Sequence, residues 1–145
     1  MATLAAPRKT EPEFFTKRAY KMKATTKIFP GSIVVITIST GLSEAGKSAS
    51  GLRAVGIADS PPDKSGVWDS ALVADVNVMT AEGASGGEVG HWLDNDSVAA
   101  VTQAHVGSDC DVKDNTVVTS DSTSRSVCGE VLKVDATKGV LVKFK

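Results

Sequence analysis

Residues 109–144 read DCDVKDNTVVTSDSTSRSVCGEVLKVDATKGVLVKF, and their reading decides the fold. The stretch divides into short runs rich in β-branched residues: Asp109–Lys113, Thr116–Thr119, Val127–Val134 and Gly139–Phe144. Asp114-Asn115 and Thr137-Lys138-Gly139 supply the turn chemistry between them. Such residues suit a pleated, half-buried surface better than a helix. Short strands with turn signals this close together predict a sandwich or a barrel.

The same grammar runs upstream. Ser32–Thr40 is a β-branched run bounded by Gly41, and Gly51–Asp59 is an apolar stretch closed by Ser60-Pro61-Pro62. Ala71–Thr80 alternates, with Leu72, Ala74, Val76 and Val78 set against Val73, Asp75, Asn77 and Met79. Val89–Leu93 is a further strand candidate, and Glu82–Gly87 reads as a Gly-rich loop. Ser97–His105 has room for one helical turn, and no long amphipathic helix is expected in the body. The fold class predicted is all-β, a compact barrel or sandwich over residues 31–145 behind an N-terminal arm over residues 1–30.

Composition agrees. The 145 residues are 41% hydrophobic and 23% charged, the balance of a globular domain and not of a disordered chain. One domain of this length buries a sufficient core without staples. The longest apolar run, Ile33–Ile38, is a strand's length and far short of a membrane span. No apolar leader opens the chain, so synthesis and folding in the cytoplasm are expected. Cys110 and Cys128 are the only cysteines and lack the spacing of a zinc site, which predicts reduced packing residues on strands.

Charge is distributed unevenly. Residues 1–30 hold seven Lys/Arg and two acidic residues, a net of +5, while the rest of the chain carries a net of −6. The arm also holds Phe14, Phe15, Tyr20 and Phe29, four of the seven aromatics. Thr10 and Glu13 have capping-box spacing, with Pro12 near the first turn, and Phe14, Phe15, Arg18, Ala19 and Met22 fall at helical spacing. The segment is therefore either a short helix or an extended arm. In both forms its aromatics need an apolar surface to cover them. Arg8, Lys9, Lys17, Arg18, Lys21, Lys23 and Lys27 have the charge to neutralise phosphates. The acidic body, however, offers no second basic wall for a nucleic-acid groove, so the arm is expected to dock on an acidic protein surface.

Several motifs invite a catalytic or metal reading. Gly41–Ser48 matches the P-loop pattern G-x-x-x-x-G-K-S letter by letter, and Ala71–Asp75 has the form of a strand ending in a magnesium-binding Asp. A P-loop must open a helix whose amides face the phosphates, and Gly51, Gly56 and Pro61-Pro62 deny that helix. The expectation is a hairpin loop, with a nucleotide-binding protein as the alternative. Asp109, Asp111 and Asp114 lack the Gly and Glu of a calcium loop, and His91 and His105 share no ligand spacing. No G-x-S-x-G elbow occurs, and Gly83–Gly90 follows no strand-to-helix transition. Neither enzyme activity, metal nor cofactor is expected. A third reading is a carbohydrate-binding β module, with Trp68 or Trp92 as a stacking platform.

The order of segments resembles a family. Lys23-Ala-Thr-Thr-Lys-Ile-Phe-Pro-Gly-Ser-Ile-Val-Val-Ile36 resembles the segment of tailed-bacteriophage capsid cement (decoration) proteins in which an Ile-aromatic-x-Gly step opens the first body strand. Gly51-Leu-Arg-Ala-Val-Gly-Ile-Ala58 is similar to the strand that follows there. His105–Val118, Thr123–Asp135 and Gly139–Val142 run in that family's order and spacing. The chain departs from the pattern in its longer arm and around Gly83–Trp92. The resemblance, over residues 20–145, implies a β-barrel or sandwich, a homotrimer, and a seat on the outside of the head against the major capsid protein. It carries over no catalytic residues, and the acidic body and short apolar runs noted above lead to the expectation of no nucleic-acid or membrane partner. The residues expected to touch the capsid are Phe14, Phe15, Arg18, Tyr20, Lys21 and Lys23, and residues 1–24 are expected to be dispensable for folding.

Overall fold

The computed structural model describes residues 17–61, 66–80 and 89–144. Within them run β1 (Lys17–Lys21), β2 (Lys27–Ile28), β3 (Ile33–Thr37), β4 (Ser43–Ala45), β5 (Leu52–Ala58) and β6 (Trp68–Asp69). There follow β7 (Asp75–Met79), β8 (His91–Asn95), β9 (Asp109–Val112), β10 (Val117–Thr119), β11 (Val127–Asp135) and β12 (Gly139–Phe144). A single 3₁₀ turn, Gln103–His105, precedes β9, where the sequence allowed one helical turn. The all-β expectation is met.

The strands form two units that share a core. One is a five-stranded sheet in the order β1-β7-β5-β3-β4. It curls until its two edges meet. Met22, just after β1, bridges Ser43 of β4 in parallel, Lys23 N–H donates to Ser43 O at 2.9 Å, and the Ser43 hydroxyl donates to Lys21 O at 2.9 Å. A two-stranded ribbon of β2 and β6 accompanies this sheet. The other unit is a closed barrel, β10-β8-β12-β11-β9, in which β8 and β10 are parallel and the remaining pairs antiparallel.

Burial explains why β3 and β5 read as continuous apolar runs. Their sheet is covered on both faces, as strands buried on two sides require. Ile33, Val35, Leu52, Ala54 and Ile57 pack into one core with Leu93, Val112, Val118, Val131, Val140, Val142 and Phe144 of the barrel. Val34, Val55 and Ala58 face the opposite way, into a core with Met22, Ile28, Trp68, Val76 and Val78. A bulge makes this two-faced use of β5 possible. Val34 pairs with Gly56 and Val35 with Ala54, so Val55 is the extra residue and the faces exchange there. Gly56 has φ +152°, and a Cβ would overlap the Met79 carbonyl oxygen, so only glycine passes.

Polar contacts fasten the two units. Ile33 N–H donates to Asn115 O at 2.6 Å, and the Ser48 hydroxyl donates to Lys113 O at 2.6 Å. Ser126 Oγ accepts from Leu52 N–H and donates to Ala49 O at 2.7 Å.

Three boundaries differ from the sequence reading. Residues 17–28, assigned there to the arm, contribute β1 and β2 to the body, and 17–21 are strand and not helix. The reason is long-range: Arg18–Lys21 pair with Asp75–Val78, which propensity cannot foresee. Gly41–Ser48 carries β4 in addition to its turn. The Ala71–Thr80 run becomes a strand only from Asp75, because Leu72 and Val73 N–H groups turn back to Asp69 O. The Gly-rich segment Glu82–Gly87 lies outside the described residues.

Candidate functional site

β1 and its exit place four of the six expected contact residues on one edge. A strand turns successive side chains to opposite faces. Tyr20 packs half-buried against the core that holds Met22, while Lys21 and Lys23, of the opposite parity, are exposed. Arg18 is exposed near the start of the strand. Phe14 and Phe15 lie outside the described residues. The structure thus brings Arg18, Tyr20, Lys21 and Lys23 together along one strand and its exit.

The edge-to-edge closure adds a lysine that the sequence reading did not include. Glu44 on β4 lies 2.8 Å from Lys47 Nζ and 3.9 Å from Lys23 Nζ, so one carboxylate sits between two exposed ammonium groups. These lysine side chains remain 53% and 48% exposed for Lys23 and Lys47, so both stay within reach of a partner. Surface pairs of this sort contribute about 0–1 kcal/mol each to stability, so their placement matters more than their strength. Lys47 was visible in sequence only as the lysine of a P-loop pattern. Its nearness to Lys23 depends on the Met22–Ser43 bridge, which no local signal announces.

Gly41–Ser48 takes the form of a turn and a short strand. It turns from β3 into the antiparallel β4, and no helix follows it. Gly46 is pressed against Asp114 O and Val112, and its N–H donates to Ile33 O at 2.8 Å. Lys47 pairs with Glu44, and the Ser48 hydroxyl donates to Lys113 O and accepts from Arg125 Nε at 3.3 Å. The loop therefore leads into a strand with no helix N-terminus facing it, and the Ser48 hydroxyl is engaged by Lys113 and Arg125.

Other chemistry-bearing residues are likewise engaged in structure. Trp68 is buried, its Nε1–H donating to Asp59 O at 2.6 Å, so it presents no platform. Trp92 is 40% exposed, with Lys138 Nζ 5.5 Å from its ring centroid. His105 Nδ1 accepts from Thr102 N–H at 2.8 Å and closes the 3₁₀ turn. His91 lies 5.8 Å from the Phe144 ring centroid. Asp96, buried, accepts from Lys113 Nζ at 2.6 Å, Thr119 Oγ at 2.9 Å and Val98 N–H at 3.0 Å. The Lys113 ammonium, then the Val98 amide, with Thr119 adding to them, hold its carboxyl far below the usual range. Among the described residues no group of three or more His, Cys, Asp or Glu is placed to hold a metal ion.

No family model, no curated protein and no solved structure matches this chain.

Proposed function

We propose that the chain is a structural virion protein, a capsid cement protein that binds the outer surface of a phage head and stabilises it. The observation that carries the reading is the basic edge: Arg18, Lys21 and Lys23 are exposed along β1 and its exit, continuous with the aromatic-bearing residues 1–16, and Lys47 is exposed just after the neighbouring β4. Exposed cations beside apolar anchors suit an acidic protein surface, where aromatics supply affinity and charge supplies approach and register. The segments that carry the family resemblance support it further, since they form β2–β3, β5, β9–β10, β11 and β12, the body's framework. On this reading several copies, arranged as a trimer, hold the lattice by modest contacts made at once.

Velocity sedimentation tests the proposal. Purified chain mixed with heads of its own virus stripped of the protein should move into the head fraction and saturate at a fixed ratio. Chain that stays at the top of the gradient, with heads no more resistant to heat than before, would overturn it.

A further inference from the structure

Cys110 on β9 and Cys128 on β11 are free and buried, each 2% exposed. The ladder brings them together at an irregularity. Val127 pairs with Asp111 and Gly129 with Cys110, so Cys128 is the extra residue of a β-bulge and lies beside Gly129 opposite Cys110. Both side chains enter the core shared by barrel and sheet. The Cys110 thiol reaches Gly129 O at 3.7 Å, across the same rung.

We propose that Cys110 and Cys128 are a latent crosslinking site, two facing thiols that close into a disulfide when the folded chain meets a small oxidised disulfide such as oxidised glutathione. Packing alone asks only for small apolar side chains at these places. Two thiols opposed at one bulge add a bond that Ala or Val at either position would forbid. The proposal stands independently of the capsid reading.

The exchange balances. One cysteine, as thiolate, attacks a sulfur of the small disulfide, forming a mixed disulfide and expelling one small thiol. The second cysteine then attacks the protein sulfur, forming the Cys110–Cys128 bond and expelling the second small thiol. The two protein thiol protons end on the two small thiols, the protein is oxidised by two electrons and the small disulfide is reduced by two.

The closed barrel restrains the reaction. Hydrogen bonding to Cys110 and then burial push the Cys128 thiol well above its ordinary value, so it stays neutral and unreactive at pH 7. Oxidation therefore waits for local opening of the β9–β11 ladder, whose pairing the bulge already interrupts. Once formed, the bond encloses residues 110–128, which include β10 and the residues Lys113, Asn115 and Ser126 that hold the sheet. A crosslink here fastens the barrel and its junction with the sheet together.

The full chain, fully reduced, is incubated with oxidised glutathione in buffer and in urea below the unfolding midpoint. Thiol titration, intact mass and thermal melting are then read. Both thiols should disappear together, faster in urea, with the mass lower by about 2 Da. Trypsin, cutting after Lys113 and Arg125, should release the two cysteines as one linked peptide pair. The melting temperature should rise by roughly 5–15 °C, from the usual gain for a loop of this length, and fall back on reduction. Cys110→Ser or Cys128→Ser should take up one glutathione and gain no stability. Because the main comparison is between oxidised and reduced native chain, it holds even where a variant misfolds. Glutathione retained on both cysteines, a disulfide between two chains, thiols that survive urea, or a bond that leaves the melting temperature unchanged or lower would each overturn the proposal.

Discussion

Thr119 joins two carboxylates of opposite character. Its hydroxyl donates to Asp96 at 2.9 Å, and its backbone pairs with Asp111 across β9 and β10. Asp96 is held far below the usual carboxylate range by Lys113 and the Val98 amide, whereas burial first, and then Asp109, push Asp111 above it. The signs of their pH dependence therefore differ. The ionised form of Asp96 is favoured by folding, so its contribution is full above the unfolded value of about 3.9 and is lost as pH falls through the lower folded value. Asp96→Asn should lower the melting temperature at pH 7, and the deficit should shrink below about pH 4. For Asp111 the native state binds the proton more readily, so stability rises as pH falls through its range. Asp111→Asn should raise the melting temperature at pH 7, with the gain narrowing in acid. Melting curves from pH 2 to pH 8 on the three proteins check both. The turns lean the same way as Asp96: Asp121, bonded to Thr123 and Arg125, and Asp135, bonded to Lys138 and Thr137, are also held low. Acid should loosen the barrel's turns first.

At the scale of elements, β1 decides where the arm begins. It pairs with β7 along its length, and Met22 beyond it is 5% exposed in the core of Val76 and Val78. Removing residues 1–16 should leave a cooperatively folding body. Removing residues 1–24 strips β7 of a neighbour and opens that core, so this truncation should melt lower and less sharply, as circular dichroism would show. Met22→Ala should cost roughly 2–4 kcal/mol in urea unfolding, the usual penalty for emptying a buried site. The same comparison explains what was legible in the sequence. β3, β5 and β9–β12 announce themselves because their Val, Ile and Thr residues alternate or fill both faces. β1 (KRAYK) and β4 (SEA) carry no such pattern and are strands only because β7 and β3 offer them an edge. The exchange of faces in β5 was hidden for a related reason. Gly56 looks like any strand-weakening glycine until Met79 is seen pressing on it. Of the candidate site, the residue types were readable, whereas the grouping of Lys23 with Lys47 rests on a tertiary bridge.

For the whole molecule, a net of +5 in residues 1–30 against −6 in the rest is the dominant asymmetry, and the basic edge is where it surfaces. On the proposed capsid reading, head binding should weaken as salt rises, with screening setting in over a Debye length of about 8–10 Å near physiological ionic strength. Replacing Lys21, Lys23 and Lys47 together by Gln should leave the fold intact by circular dichroism. It should reduce head association on the order of tenfold at low salt and less at high salt, measured by sedimentation. The pairing of β1 with β7 also has a bearing on synthesis. The partner of residues 17–21, residues 75–79, is made dozens of residues later. A strand that must wait for so distant a neighbour closes a long loop before it is rewarded, and folding in milliseconds to seconds is the expected pace for such non-local β pairing. Throughout that interval the basic segment is unpaired and exposed to every acidic surface in the cell. Among the described strands, the one that closes the sheet is made before all the others.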